Sequence, residues 1–337
     1  MKIGILTGFG TWEESFRKAC EELHVEYAMI DFSSANWMEN IKAVDAEIDG
    51  YIATPPCSFQ EYKTIYDERL FFIDQFFRKP IYPNFKSCYI YESKRNMASF
   101  LDFYEFPHAQ TRVFRKKEEA LAYLKDAQYP LVIKANIGAG GKAVDIVKSY
   151  NRARRIAKRS FGFYKGLFCT GNKPVMSKFG IPFKLSGSGQ RHFLIVQDFY
   201  KIKWEWRVLK IGNSYFGHQK LLKGDKASGS GLVGWVMPPM EVLNLAKDIC
   251  DKGGFDVMDV DIFETTDGKL LVNELQAQFG SYLDYQMMVD GKPGRLVYSD
   301  ENGFVWEEGE FNRINSCLLK VQNFVEILSK DKSKNKL

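Results

Sequence analysis

The sequence predicts a mixed α/β (α+β) protein with an open parallel sheet at the N-terminus and antiparallel hairpins further on. Three observations predict this class. Residues 1 to about 90 alternate apolar strands with helices, which is typical of a parallel sheet. The glycine-rich segment 136–143 joins two further strands, and residues 256–280 read as a two-stranded hairpin around the turn at 265–268.

Composition marks an ordinary globular protein. The 337 residues suffice for two or three modules, and the chain is 45% hydrophobic and 26% charged. No apolar run approaches the ~18 residues that a membrane-spanning helix needs. The six cysteines form no CxxC pair and have no histidine at zinc spacing, so we expect reduced thiols in a cytoplasmic protein. The net charge of +5 is modest and partly due to C-terminal lysines, so no nucleic-acid partner is predicted.

The N-terminal region supplies candidate ligand positions at its strand ends. Ligands bind beyond the carboxyl ends of strands in such sheets, which singles out residues 7–10, 31–34 and 54–56. Glu13 occupies the last glycine position of a G-x-G-x-x-G motif, so the dinucleotide fingerprint is absent. The predicted elements are strands 2–6, 25–32, 50–53 and 80–83, and helices 12–23, 37–41 and 59–77.

Two lysines stand out in the middle of the chain. A predicted helix over 91–103 places Lys94 near its N-terminus, where the amine and the helix dipole both favour an anion. Lys134 lies inside the apolar strand LVIKA, and a lysine there is expensive to bury without an anionic partner. Strand 108–114 and helix 116–125 precede it.

The glycine-rich loop follows Lys134. Gly138, Gly140 and Gly141 allow backbone amides to close around a phosphate. The loop is not a Walker A motif, because Ala143 stands where Ser or Thr must hold Mg²⁺. A strand–loop–strand phosphate cover is favoured, and an ordinary glycine-rich hairpin remains the alternative.

The rest of the chain is predicted as a lid, a second sheet and two helices. Residues 161–190 read as an insertion or lid, and 223–231 as a flexible loop. The predicted strands are 192–197, 204–209 and 215–221, and the predicted helices are 151–160, 240–252 and 311–328.

The hairpin carries an oxygen-rich set of side chains. Glu274 and Gln276 are two residues apart on a strand, so they share a face, and Asp261 comes from the partner strand. Carboxylate and amide oxygens suit Mg²⁺ and the phosphates that accompany it. A solvated outer face of the hairpin explains the same pattern, and from this segment alone both interpretations stay open.

The order of these motifs resembles the ATP-grasp superfamily, and within it the RimK-like carboxylate–amine ligases. The resemblance covers about 81–280, and in detail it is similar to a subfamily found among bacterial surface-polysaccharide biosynthesis genes. It is carried by Lys94 at a helix start, Lys134 before the glycine loop, the segment VQDFY, Glu205-x-Arg207, and Asp261 with Glu274-x-Gln276.

The resemblance implies an ATP-grasp fold preceded by an open parallel α/β (pre-ATP-grasp) domain. It implies an N-terminal domain over 1–85, a small lid subdomain over 86–190 that contains the insertion, and a nucleotide- and metal-binding subdomain over 191–330. Residues 331–337 are expected to be a disordered basic tail.

The resemblance also implies site roles. Arg207 and Lys220 match catalytic cations that face the γ-phosphate, although surface pairs across neighbouring strands would give the same pattern. Asp261, Glu274 and Gln276 match ligands of Mg²⁺ or Mn²⁺, where the family usually has Asn at the position of Gln276. The residues matching the ATP site are Lys94, Lys134, Gly138, Gly140, Gly141, Gln197, Asp198, Phe199, Tyr200 and Glu205.

The implied activity is an ATP-dependent ligase that joins a small-molecule carboxylate to an amine through an acyl phosphate and releases ADP. An ATP-grasp phosphotransferase acting on a sugar or cyclitol hydroxyl is the alternative. A nucleotide-binding protein without activity is a third interpretation, which Lys134, Arg207 and Glu274 argue against. The resemblance is compatible with a homodimer, because dimers are common in the family.

Overall fold

The structure is a computed structural model. It describes residues 1–10, 12–57, 59–138, 144–161, 192–224, 226–227, 232–280 and 285–334. Within the described residues no helix combines the length and apolar character needed to cross a membrane. None of the cysteines in these ranges forms a disulfide, as the sequence predicts.

The N-terminal unit is the predicted open parallel sheet. Its strand order is β2-β1-β3-β4, and every neighbouring pair is parallel. The strands are β1 (Lys2–Thr7), β2 (Glu26–Asp31), β3 (Gly50–Ile52) and β4 (Ile81–Tyr82). The helices are α1 (Glu13–Glu22), α2 (Trp37–Val44) and α3 (Gln60–Phe72), with a 3₁₀ turn at Asp45–Glu47 and a π-helical turn at Ile73–Phe77.

Two helices follow in place of the single predicted helix over 91–103. They are α4 (Phe85–Ile90) and α5 (Lys94–Phe103). Between them Glu92 adopts a positive φ of 51°, so the chain turns sharply before α5 begins. This turn places Lys94 at the first position of α5.

The middle of the chain forms a four-stranded antiparallel sheet of order β5-β8-β6-β7 with helices on one side, which we name the lid sheet after the predicted subdomain. Its elements are β5 (Thr111–Phe114), α6 (Lys117–Asp126), β6 (Leu131–Lys134), β7 (Val144–Val147), α7 (Tyr150–Ser160) and β8 (Leu194–Asp198). The domain boundary predicted at 190 is wrong, because β8 is an interior strand of this lid sheet. Leu131 and Ile133 face α6 and α7 in a separate core, so Val132 and Lys134 face the opposite side.

The C-terminal sheet is antiparallel and has the order β15-β14-β9-β10-β17-β16. Short strand β13 pairs with β10, β18 pairs with β17, and β11 and β12 form a separate ribbon. The strands are β9 (Ile202–Ile211), β10 (Ser214–Lys220), β11 (Leu222–Lys223), β12 (Lys226–Ala227), β13 (Val233–Gly234), β14 (Val257–Thr265), β15 (Leu270–Gln276), β16 (Met288–Val289), β17 (Lys292–Ser299) and β18 (Gly303–Glu308). Helix α8 (Met240–Gly253) packs on β9 and β14, and its buried face joins the main core.

The last helix, α9 (Cys317–Lys334), returns to the N-terminal unit and packs against α1. Its Phe324 ring stacks on Tyr82 with the centroids 5.0 Å apart. The prediction of a disordered tail over 331–337 is wrong for residues 331–334, because they belong to α9. The Lys332 ammonium lies 2.7 Å from the Asp49 carboxylate. Near the N-terminus of the same helix, the Lys320 ammonium is fully buried and donates to the Phe279 carbonyl oxygen at 2.9 Å.

Gly50→Ala tests how tightly α9 closes on the N-terminal sheet. A Cβ at Gly50 would lie 2.6 Å from Phe324 Cζ and 3.0 Å from the Pro80 carbonyl oxygen, so one of these groups must move. We expect the free energy of unfolding to fall by about 1–3 kcal/mol in urea titrations. Phe324→Leu in the same chain should recover part of that loss, and fully additive losses would contradict this packing.

Candidate nucleotide and metal cleft

Ionisable side chains from β9, β10, β14 and β15 share one face of the C-terminal sheet. The register pairs Glu205 with Lys220, Arg207 with Asp261, and Asp261 with Glu274. Directly paired residues point to the same face of a sheet, so these five side chains form a continuous charged stripe. The predicted cations and carboxylates are therefore brought together, and they do not lie on a solvated outer face.

The two cations of the stripe pair with carboxylates of the same sheet. Lys220 Nζ lies 2.8 Å from Glu205 Oε1 and also bonds to the Asp261 carboxylate. Arg207 bonds to the Asp259 carboxylate, and its Nε lies 3.5 Å from Asp261 Oδ1. Burial raises the pKa of Asp259 to about 7 although Arg207 opposes the shift. Burial likewise raises the pKa of Glu205 against the opposing charge of Lys220.

His218, opposite Arg207 on β10, adds no charge to this face. Its Nδ1 lies 2.8 Å from the Gln286 carbonyl oxygen, and the ring is buried. Burial, with the Arg207 and Lys220 charges adding to it, lowers the pKa of His218 to about 4. The imidazole is therefore neutral at pH 7, with Nδ1 as the donor.

Lys134 reaches the stripe from the lid side. Its Nζ donates to Asn273 Oδ1 at 3.1 Å, and Asn273 Nδ2 donates to Glu205 Oε2 at 2.7 Å. Burial lowers the pKa of Lys134 to about 8, because the nearby Glu274 charge offsets only part of the desolvation. Strand β6, which ends at Lys134, and the β14–β15 hairpin therefore line one cleft, and the Asn273 side chain connects them.

A β-bulge explains why Asn273 is available. Asp261 pairs with Glu274, but the next residue, Ile262, pairs with Val272, so Asn273 is the extra residue of β15. Alternation alone would put Asn273 on the face opposite Glu274. The sequence reasoning missed Asn273 for this reason, since no local signal marks the bulge.

Lys94 occupies the third side of the cleft. Its Nζ lies 3.2 Å from Glu274 Oε1, 3.7 Å from Glu92 Oε2 and 3.3 Å from the Gly138 carbonyl oxygen. Burial alone would lower the pKa of Lys94, but Glu274 and Glu92 outweigh it and raise that pKa. Burial alone would raise the pKa of Glu274, but the charges of Lys94, Lys134 and Lys220 outweigh it and lower that pKa. Glu92, which the sequence reasoning did not select, also accepts from the Gly138 amide at 3.3 Å.

The side chains of the predicted ATP-site residues at 197 and 198 point in opposite directions. Gln197 lies opposite Val132 in the lid sheet and therefore faces the side of Lys134. Its amide donates to Thr111 Oγ1 at 2.9 Å and to the Ala109 carbonyl oxygen at 3.3 Å. Asp198 points to the other side and pairs with Arg112 at 2.9 Å, so its side chain does not enter the cleft. Phe199 and Tyr200 follow the strand and are partly buried.

Several predicted parts lie outside the described residues. Gly140, Gly141 and nearly all of the 161–190 insertion belong to this group, as does most of the 223–231 loop tip. Gly138 is described and has a φ of 148°. Its contacts with Lys94 and Glu92 place the beginning of the glycine loop at the cleft.

The donor chemistry at the hairpin fits a divalent cation. Asp259 Oδ1 and Asp261 Oδ1 are buried and accept no hydrogen bond from the described residues. Gln276 lies opposite Asp259 in the register, so its amide shares their face. The described ranges contain no group of three or more His, Cys, Asp or Glu side chains that could hold a metal alone. A magnesium site here would draw further ligands from phosphate and water, as Mg²⁺ commonly does.

Lys94→Met and Lys134→Met are expected to change stability in opposite directions. The folded pKa of Lys134 is depressed, so its charge costs stability below about pH 8, and the cost fades as the pH rises toward 10.5. Lys134→Met should therefore raise the free energy of unfolding at pH 7 by about 1–2 kcal/mol. Lys94 has a raised pKa, so its contribution is fully present below pH 10.5 and is lost above its folded pKa.

Lys94→Met should accordingly lower the free energy of unfolding by about 3–5 kcal/mol at pH 7, because it leaves two buried carboxylates unpaired. Urea titrations of both variants without nucleotide measure the two effects. A loss of similar size in both variants would show that Lys134 is stabilised as fully as Lys94.

Comparisons with known proteins agree with this architecture. Residues 92–178 match the family model described as the phosphoribosylglycinamide synthetase ATP-grasp (A) domain. The phosphoribosylamine–glycine ligase of Caldanaerobacter subterraneus is 36% identical over 98 residues, which are 27% of this chain and 24% of that protein. The corresponding ligase of Clostridium acetobutylicum is 28% identical over 154 residues, 43% of this chain and 32% of that protein. The match thus spans a quarter to a third of the length of these relatives.

Solved structures overlap far more of the chain. D-cycloserine synthetase covers 97% of this chain over 100% of its own length, with a TM-score of 0.61 and 12% identity. The ADP complex of N5-carboxyaminoimidazole ribonucleotide synthetase covers 88% of this chain and 81% of its own, with a TM-score of 0.59 and 14% identity. A RimK-domain ATP-grasp protein of Sphaerobacter thermophilus covers 82% and 90%, with a TM-score of 0.53 and 16% identity. Sheet topology, the matched domain and these overlaps show that the chain has the ATP-grasp fold.

Proposed function

We propose that this protein is an ATP- and Mg²⁺-dependent ligase that joins a carboxylate to an amine through an acyl phosphate and releases ADP. One observation carries the proposal. The Lys134 ammonium reaches the charged stripe that carries Asp261 and Glu274, because Asn273 accepts from Lys134 and donates to Glu205 of that stripe. A pure structural role for so many buried charges would be costly, which supports a functional site.

The nucleotide would lie between the lid sheet and the charged stripe. Lys94 and Lys134 would hold its α- and β-phosphates, with Gly138, Gly140 and Gly141 closing over the terminal phosphates. Glu205, which accepts a hydrogen bond from Asn273, would also accept hydrogen bonds from the ribose hydroxyls. Main-chain groups of 197–200 would meet the adenine edge. The Asp198 side chain is not part of this set, because it pairs with Arg112 on the far face.

Asp261, Glu274 and Gln276 would hold the metal. Mg²⁺ bound there would neutralise phosphate charge and help align the terminal phosphate. The side chain of Gln276 is one methylene longer than Asn, and it would supply an amide oxygen. The orphaned oxygens of Asp259 and Asp261 support a cation at this face.

The chemistry needs positioning and charge neutralisation more than a protein nucleophile. A substrate carboxylate oxygen would attack the γ-phosphorus, and the bond to the β-phosphate oxygen would break, leaving ADP and an acyl phosphate. The amine nitrogen would then attack the acyl carbon, expel phosphate and lose a proton. Arg207 on β9 and Lys220 on β10 are diagonal neighbours on one face of the sheet, where they would face the transferred group. Closing the cleft would protect the acyl phosphate from water.

The comparisons support this class of reaction. Relatives matched over part of their length are named phosphoribosylamine–glycine ligases, and a solved neighbour is named D-alanine–D-alanine ligase. Another neighbour was solved with ADP. The further part of the proposed function, a role in surface-polysaccharide or small-molecule biosynthesis, rests on the sequence resemblance alone.

A two-substrate ADP-release assay tests the proposed function. Carboxylates and amines are varied independently in the presence of ATP and Mg²⁺. We expect ADP and phosphate in equal amounts only when both substrate classes are present, since the amine releases the phosphate. ADP release that requires a hydroxyl compound and no amine would refute the ligase assignment.

Glu274→Gln tests the metal set. The neutral amide should weaken Mg²⁺ activation by about 10–100-fold, seen as a shift of the Mg²⁺ concentration for half-maximal ADP release. Gln276→Asn should keep the activation within about threefold, because the amide oxygen is retained. Glu307→Gln on β18 is the surface control. An unchanged Mg²⁺ dependence in Glu274→Gln would remove this residue from the metal site.

A further inference from the structure

An exposed aromatic surface lies on α4, α5 and the end of α3, outside the charged cleft. Its most exposed member is Phe103, the last residue of α5, with 78% of its surface accessible. No other large apolar side chain in the described ranges is as exposed. A single exposed ring is common on protein surfaces, whereas a contiguous exposed aromatic surface marks an interaction site.

Ring contacts make this surface continuous. Phe103 packs edge-on against Tyr104 with the ring centroids 4.8 Å apart. Tyr104 and Tyr89 line the same cavity, and Tyr89 stacks on Phe85 at 5.7 Å. Phe85 in turn contacts Phe71 of α3 at 6.1 Å. We call this set the aromatic face, and its exposed members are Phe71, Phe72, Phe76, Tyr89, Phe103 and Tyr104.

The aromatic face has the size of a protein interface. A fully exposed aromatic side chain presents roughly 200 Å², so the six exposed members present roughly 600 Å² together. The largest apolar patch of a typical monomer is about 300–600 Å², and a stable complex covers about 800 Å² on each partner. The six rings therefore supply most of one side of an interface of standard size.

A cavity of about 320 Å³ lies beside Phe103. Its walls come from α4, α5 and the chain around the end of α8. Ser99 lines the cavity and lies one helical turn before Phe103, so the protruding ring and the cavity are neighbours on one surface. Phe103 does not line this cavity, so its ring does not fill the cavity of its own chain. The aromatic wall residues are Phe85, Tyr89, Phe100, Tyr104 and Phe255.

Opposite charges flank the ring and the cavity. Glu105 follows Phe103 by two residues and is exposed, and Lys86 is exposed at the cavity wall. Neither Glu105 nor Lys86 enters an ion pair within the part of the chain that the structure describes. A ring with an acid beside it therefore matches a cavity with a cation at its wall.

We propose that the aromatic face is the interface of a symmetric homodimer, in which Phe103 of each copy fills the cavity of the other. A two-fold axis that passes between Phe103 and its own cavity brings each ring to the cavity of the partner copy, so both contacts form at once. The same rotation brings Glu105 of one copy beside Lys86 of the other. A second copy is the favoured occupant, because one surface carries both halves of the contact. The face lies outside the nucleotide cleft, so the proposal does not depend on the ligase reaction.

Sedimentation velocity of the full chain without nucleotide tests the proposal. We expect the parent protein to be a dimer at about 10 μM, which is within the affinity range of interfaces of this size. Phe103→Ala should weaken the dimer about 100-fold or more, because each dimer loses two ring contacts. Phe103 is exposed, so this variant is expected to fold normally, and circular dichroism checks the fold. Val305→Ala on β18 removes an equally accessible type of apolar side chain elsewhere and should dimerise like the parent protein.

A mixing experiment tests the two-fold geometry. Ser99→Trp should fill the cavity and weaken the homodimer, because the ring of the partner copy no longer enters. An equimolar mixture of Phe103→Ala and Ser99→Trp should form heterodimers more tightly than either variant forms homodimers. In the heterodimer one ring meets one open cavity, and no ring meets a filled one.

A charge swap tests the flanking pair. Lys86→Glu should weaken the dimer at low salt, because it places like charges together, and Glu105→Lys in the same chain should recover part of the loss.

A parent protein that stays monomeric at about 100 μM, above the range expected for this area, would overturn the proposal. A Phe103→Ala variant that dimerises like the parent, or a mixture no tighter than its separate components, would also overturn it. A monomeric parent that binds phosphatidylglycerol vesicles through Phe103 would assign the face to a lipid surface instead of a second copy. Each of these outcomes is independent of the ADP-release assay.

Discussion

The cleft depends on buried cations and carboxylates that stabilise one another. Four cations and five carboxylates lie within it: Lys94, Lys134, Arg207, Lys220, Glu92, Glu205, Asp259, Asp261 and Glu274. Seven of them are buried, and Arg207 and Glu274 are partly exposed. Taking ions out of water costs several kcal/mol each, and ion pairs repay this only where their geometry is good. Apolar residues would fill the same space at lower cost. A protein that keeps such a set gains a preformed electrostatic environment, which is what phosphate and metal chemistry needs.

The fold determines which charges meet. Antiparallel pairing of β9 with β10 and β14 sets Lys220 opposite Glu205 and Asp261 opposite Arg207. The lid sheet contributes one cation, from the end of β6, and α5 contributes another from its first residue. The lid sheet contacts the cluster at Asn273 and α5 contacts it at Glu274, whereas the aspartates pair with cations of the C-terminal sheet itself.

Sequence reasoning found residues whose local pattern conflicts with burial. Lys134 is conspicuous because it interrupts an apolar strand, and Asp261 and Glu274 because a hairpin turn of recognisable chemistry aligns them. Asn273 was not predictable, since the bulge that turns it inward arises from pairing with a distant strand. The assignment of β8 to the lid failed for the same reason, because sheet membership is a long-range property. The course of α9 depends likewise on its contacts with the N-terminal sheet, which no local composition encodes.

The four cations differ in what an arriving anion would gain. Lys94, Arg207 and Lys220 already contact carboxylates, so a phosphate there must displace or share a protein acid. Within the described residues, the Lys134 ammonium donates only to the Asn273 amide oxygen, and its pKa of about 8 reflects desolvation that no adjacent acid offsets in full. New negative charge beside Lys134 removes that cost directly. Lys134 is thus the position where anion binding is most favourable, and the Asn273 side chain connects it by hydrogen bonds to Glu205 on the opposite wall.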